Sequence, residues 1–237
     1  MSADQPPRGA LTGTVAVVVG GASGIGRTAA RALARQGARI VVADFDNERM
    51  ERTVEEILHL GSADAALALP TDVRNDGSVA SMASDAIKAM GHVDILLNMA
   101  GVFLQGPLER IKAADWRWVL ETNLLGTVRT CMAFAPHMAE RGAGHIVNAT
   151  SAAMTPLTIA YDTCSAAVAT FTTALAEQLQ PRGVKVELLT IGADGPRIGQ
   201  NTRSRGMGRL INATKDAAEV TAPDGRLIDE LLGLLHR

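Results

Sequence analysis

Apolar positions along this chain fall into two alternating rhythms. The run TVAVVVG (14–20) is almost continuously apolar and β-branched, as expected of a strand covered on both faces. In the following GIGRTAARALARQG, Ile25, Ala29 and Leu33 recur at helical spacing and Gly37 supplies a stop. The alternation then repeats. Strands are predicted at ARIVVADF (38–45), ALALPTD (66–72), VDILLNMAG (93–101), GHIVNAT (144–150) and VKVELLTIG (184–192). Helices are predicted at 47–61, 77–91, about 112–140 and 161–179. This spacing argues for an α/β fold, a doubly wound parallel sheet between two helical layers, in one domain spanning residues 11–237.

The ends read differently. Residues 1–10 form a polar, proline-bearing tail. Residues 193–210 (ADGPRIGQNTRSRGMGRL) are rich in Gly and Arg without any period, which predicts a mobile substrate loop. TAPDGRLIDELLGLLHR (221–237) predicts one amphipathic helix with Leu227, Leu231 and Leu235 on a stripe. No seventh strand is expected.

Composition narrows the picture. A length of 237 residues, 47% apolar, suits one well-packed domain. The formal charge of −2 provides no basic field for nucleic acid, and no apolar run reaches the ~20 residues of a membrane span. Cys131 and Cys164 make no disulfide framework, and the first ten residues carry no signal or transit pattern, so a cytoplasmic protein is expected. The five histidines are scattered without metal-ligand spacing, and no metal site is expected. Trp116 and Trp118 are adequately explained by packing, and the Arg-rich 203–209 stretch by solvation.

Chemistry begins at GGASGIG (20–26), between the first strand and the first helix. Glycines there permit a tight turn and close approach of a phosphate to backbone N–H groups at a helix N-terminus. Position between strand and helix favours a cofactor turn over a purely structural one. Asp44 ends the second strand, eighteen residues after Gly26. A carboxylate there can accept both hydroxyls of an adenosine ribose and repels a 2′-phosphate; the alternative is an acid facing water. No cation follows Asp44, and Ser23 leaves the glycine turn without one, which favours NAD(H) over NADP(H).

With GGASGIG, Asp44, NMAG (98–101), Asn123, Ser151 and Tyr161 in this order, the chain resembles the short-chain dehydrogenase/reductase family from about Leu11 to Gly192. The resemblance implies a Rossmann-type fold and hydride transfer between a nicotinamide and a carbonyl or secondary alcohol. It implies that Gly20, Gly24, Ile25 and Gly26 hold the pyrophosphate. Asp72 and Val73 match the pair that holds adenine, and Asn98, Ala100 and Gly101 belong to the family's NNAG motif. Ser151 matches the serine that orients the substrate oxygen, and Tyr161, the only tyrosine in the chain, matches the acid/base. Asn123 matches an asparagine that organises a relay water; bonding to a local carbonyl is its alternative. Family habit also implies a homodimer or larger homo-oligomer.

Four positions depart from the family pattern: Val19 replaces a threonine, Met99 an asparagine, Ile191 a proline, and Ser165 the lysine of Y-x-x-x-K. Ser151 and Tyr161 are also ten positions apart, two or three fewer than is common. Residues 161 and 165 stand i,i+4 on one helix face, so the serine lands at the active centre. A serine can bond a ribose hydroxyl but supplies no positive charge. An unassisted phenol titrates near ~10, so about one in a thousand is ionised at pH 7. Restoring a pKa near 7 requires about 4 kcal/mol. Alcohol oxidation is therefore expected to climb with pH toward ~10. The same residues leave two other readings open: a cofactor-binding pseudoenzyme, and a non-redox lyase, isomerase or cyclase on this scaffold.

Overall fold

Valines explain where the sheet is nailed down. In β1 (Val15–Val19) every residue is buried, which a strand achieves only with neighbours on both edges and helices on both faces. The computed structural model, which describes residues 9–60, 66–151, 155–191, 202–205 and 225–236, supplies both. β1 pairs in parallel with β2 (Arg39–Asp44) on one side and β4 (Ile95–Asn98) on the other. Beyond them lie β3 (Ala66–Pro70), β6 (Gly144–Ser151) and β7 (Val184–Ile191), giving the order β3-β2-β1-β4-β6-β7 with every pairing parallel. This is the doubly wound, Rossmann-type αβα arrangement in a single domain.

Two apolar cores follow, one on each face. α1 (Gly24–Arg35), α2 (Asn47–His59) and α7 (Gly225–Leu235) pack on one side through Ala29, Leu33, Met50, Ile57 and Leu231. α3 (Asp76–Met90), α5 (Gly126–Arg141) and α6 (Ile159–Leu179) cover the other through Met82, Phe134, Met138 and Leu179. Aromatic side chains are scarce, and close-packed Ala, Val and Met take their place. The stripe of α7 runs through Leu227, Leu231 and Leu234, with Leu235 only partly buried, one position away from the expected Leu235.

Two features depart from the expected elements. The stretch about 112–140 is helical, but α4 (Ala113–Val119) joins α5 through a π-helical turn, Leu120–Leu125, containing Asn123. The second departure falls in the segment expected to be an aperiodic loop. There Thr202–Ser204 is a strand, β8, which pairs in parallel with β5 (Phe103–Gln105) as a separate two-stranded ribbon. Positions 193–201 and 206–210 of that segment, and residues 1–8, lie outside the described residues. Among the described residues, no helix is long and apolar enough to cross a membrane.

Candidate active site

The strand order reverses between β1 and β4, and the glycine turn sits at the carboxyl ends of these two strands. Gly20 has φ +82°, and a Cβ on it would lie 2.6 Å from the Ala100 nitrogen. A Cβ on Gly26 would lie 2.1 Å from the Gly20 carbonyl oxygen. Steric necessity thus fixes both glycines and presses the turn against Met99–Ala100. Gly24 differs: its φ is +52°, yet nothing lies within 4 Å of where a Cβ would go. It borders open space above the start of α1. Ser23 makes no side-chain cap there and the first turn holds no acid, so helix N–H groups remain available to an anion. Ile25, half-buried, packs on the core beneath α1.

Asp44 ends β2 beside this turn. Its Oδ2 accepts the Ala22 N–H at 3.1 Å and its Oδ1 the Asp46 N–H at 3.2 Å. Burial pushes its carboxyl above the ordinary range, opposed by those backbone bonds. Its carbonyl accepts Thr71 N–H at 2.7 Å, bringing Asp72 and Val73 alongside. Asp72 is chelated by its neighbour Arg74, which holds its carboxyl below the usual range. Val73 is buried against Gly126.

Asn98 takes another part than its motif suggests. Its amide, 4% exposed, donates to Asn148 Oδ1 at 2.8 Å and accepts Thr130 Oγ1 at 2.7 Å. Asn148 in turn donates to Thr172 Oγ1 at 3.0 Å. The side chain is thus consumed by a buried network tying β4 and β6 to α5 and α6, and it does not line the cleft. Asn123 is likewise engaged. Its Oδ1 accepts the Val102 N–H and its Nδ2 donates to the Val102 carbonyl, both at 2.8 Å. It clamps the backbone that follows NMAG while still lining the cavity described next.

Across the cleft, α6 turns one stripe inward. Tyr161, Cys164, Ser165 and Val168, spaced i, i+3, i+4 and i+7, line an open cavity with Met99, Ala100, Gly101, Ala149, Thr150 and Ile191. Tyr161 is 7% exposed. Ser151, at the end of β6, is the hydrogen-bonding group that faces its hydroxyl. Its ring meets Phe103 edge-on, centroids 4.9 Å apart. Burial raises the phenol pKa above its ordinary value; the Ser151 bond opposes this, while Asp162 and Cys164 add to it. Among the described residues lining the cavity there is no lysine or arginine. Ser165 occupies the position one turn after Tyr161, and its carbonyl accepts Thr150 Oγ1 at 3.3 Å. Burial pushes the Cys164 thiol up to about 11, which argues against a nucleophile. Among the described residues no cluster of His, Cys, Asp or Glu could hold a metal.

Sequence reasoning missed Phe103 and the carboxylate behind it, Asp115. Asp115 is 1% exposed and gripped by Arg203 and Arg205, about ninety positions away in the chain. A lone acid ahead of two tryptophans gives no signal of so distant a partner.

The chain is 36% identical over 184 residues, covering 75% of it and 72% of the relative, to a hydroxy(phenyl)methylsuccinyl-CoA dehydrogenase subunit of Thauera aromatica. It superposes on a short-chain dehydrogenase/reductase from Burkholderia phymatum in complex with NAD, with TM-score 0.73 and 35% identity over 77% of this chain and 66% of that one. A metagenomic short-chain oxidoreductase in complex with NADP gives TM-score 0.72 and 33% identity over 77% and 84%. The family described as short chain dehydrogenase matches residues 14–205, the whole span from β1 to the end of the β5–β8 ribbon. The chain belongs to the short-chain dehydrogenase/reductase family.

Proposed function

We propose that this protein is an NAD(H)-dependent oxidoreductase that interconverts a carbonyl compound and a secondary alcohol with Tyr161 as proton donor and acceptor. The observation that carries this reading is that Tyr161, with Ser151 facing its hydroxyl, lines a cavity shared with Met99–Gly101. It brings the ends of β4, β6 and α6 to one point.

The residues fit a dinucleotide. Gly24 borders open space at an uncapped helix start, where a pyrophosphate can approach backbone N–H groups. Asp44 stands beside that turn, where its carboxylate can accept ribose hydroxyls. Asp72 and Val73 lie next to Asp44 for the adenine, and Ala100 and Gly101 border the cavity for the nicotinamide end. Asn98 supports this floor from beneath through its buried network. Relatives carry either NAD or NADP, so kinship leaves the choice open. Asp44 favours NAD(H), because a carboxylate repels a 2′-phosphate.

Bound there, the nicotinamide supplies or accepts the hydride. In reduction Tyr161 delivers its proton to the substrate oxygen, while Ser151 donates to the same oxygen and fixes its place. In oxidation Tyr161 must first be ionised to take that proton back. Burial opposes ionisation and no cation among the described lining residues assists it, so Ser165 makes this an attenuated site at neutral pH. Its hydroxyl can still bond a ribose hydroxyl. Oxidation rate should climb with pH to ~10 and beyond, while reduction, which uses the neutral phenol, stays flat through the neutral range.

The test is NADH binding by fluorescence, followed by turnover on a panel of carbonyl compounds. Tyr161→Phe should bind NADH normally and lose about 10²- to 10⁴-fold in turnover. Product formation without change in nicotinamide absorbance, or undiminished turnover in Tyr161→Phe, would refute the assignment.

A further inference from the structure

β5 and β8 are three residues each, too short for their backbone bonds to sustain a two-stranded ribbon in water. Side chains hold it. Asp115 Oδ2 accepts the Lys112 N–H at 3.1 Å, capping α4, and takes Arg205 Nε at 2.9 Å, while Oδ1 takes Arg205 Nη2. Arg203 Nη1 lies 3.5 Å from the same carboxylate, and its guanidinium stacks 3.8 Å over the Trp118 ring. Arg205 N–H donates to the Gln105 carbonyl at 3.0 Å, and Gln105 Nε2 to Ser204 Oγ at 2.9 Å. At the same end of the ribbon, Gly106 N–H donates to the Leu157 carbonyl at 2.7 Å, two residues before α6 begins. Phe103, the first residue of β5, meets the Tyr161 ring at an interplanar angle of 66°.

We propose that Asp115, clamped by Arg205 and Arg203, is a positioning residue for Tyr161: the clamp holds β8 on β5, and β5 holds Phe103 against the phenol. The proposal rests on the reading of Tyr161 as the acid/base. Geometry explains why a carboxylate buried to 1% exposure was placed here. Removing Arg205 leaves a buried carboxylate with only the more distant Arg203 beside it, so the pair favours one arrangement of the ribbon. The arginine fork adds direction, since two parallel N–H bonds set its plane as well as its distance. The effect passes from α4 to β8, to β5 and to the ring of Phe103. Ser151 faces the phenol from β6, and Asp162 and Cys164 face it from α6. None of these is altered when the clamp is cut.

Tyr161 is the only tyrosine in the chain, so tyrosinate absorbance titrates this residue alone. The experiment compares Asp115→Asn, Arg205→Met, their double variant and Arg205→Lys with the wild type. Cutting the clamp loosens Phe103, which Val102 and Gly106 still tether at either end, and lets water reach the phenol. Each single variant should move the titration midpoint down toward that of a free phenol and lower kcat about tenfold, with the KM for NADH unchanged. The double variant should be no worse than either single one, and Arg205→Lys should recover part of the loss. An unmoved midpoint with unchanged kcat in both single variants overturns the proposal, as does a double variant equal to the sum of the two. Should Asp115→Asn fail to fold by circular dichroism, Arg205→Met, on the 38% exposed side of the pair, decides alone. The two readings fail separately. A shifted midpoint with full turnover in Tyr161→Phe removes the acid/base role and keeps the clamp; an unshifted midpoint with Tyr161→Phe inactive does the reverse.

Discussion

The glycine side of the cleft and the phenol side are made of different materials. On the glycine side the determinants are backbone. Gly20 and Gly26 leave 2.6 Å and 2.1 Å for a Cβ that needs more, and Asp44 is tied by N–H bonds to the turn it serves. On the phenol side the determinants are side chains on one stripe of α6, where Tyr161, Cys164 and Val168 are buried and Ser165 is half-buried. The departures from the family pattern sort accordingly. Met99, Ser165 and Ile191 all line the cavity around Tyr161, and only Val19 lies away from it, in β1. Three of the four departures thus surround the phenol proposed as acid/base. Binding geometry is locked by sterics, whereas reactivity rests on a few exchangeable groups.

The sharpest way to probe this contrast is to restore the missing charge. Ser165→Lys places an ammonium one helical turn from the phenol. If it returns the phenol pKa to near neutrality, alcohol oxidation at pH 7 rises by up to about 10³-fold, the ratio of ionised fractions. Steady-state kinetics with NAD across pH measures this directly, and an unchanged oxidation profile would show that something else already assists Tyr161. On the glycine side a smaller change is expected. Asp44→Ser removes one set of ribose bonds and one negative charge, weakening NADH about tenfold and improving NADPH. Fluorescence titration with both cofactors reads the ratio; a ratio that does not move would place the ribose elsewhere.

How legible these features were in the sequence follows the same division. Local rhythms located the sheet and its helices, since β-branched runs and i,i+3,i+4 spacing are properties of neighbouring residues. The glycine turn was legible because steric demands on a backbone leave glycine no substitute. Tyr161, Ser165 and Ser151 were placed by their motif positions, and the structure brings them to one cavity or bond. Long-range pairings were silent. Nothing in Thr202–Ser204 alternates, so its pairing with Phe103–Gln105 could not be read, nor could the Asp115–Arg205 contact that secures it. Asn98 and Asn123 were recognised, but their bonds to Asn148, Thr130 and Val102 depend on tertiary neighbours. The π-helical turn at Leu120–Leu125 falls inside an uninterrupted helical pattern and left no mark in it.

The central claim is that the phenol proposed as acid/base works in a buried site where no cation among the described residues lines the cavity beside it. Absorbance titration of the single tyrosine in the folded wild-type protein, with circular dichroism to confirm the fold at each pH, tests it most directly. The account predicts a midpoint above the ~10 of a free phenol. A midpoint near neutrality would contradict it.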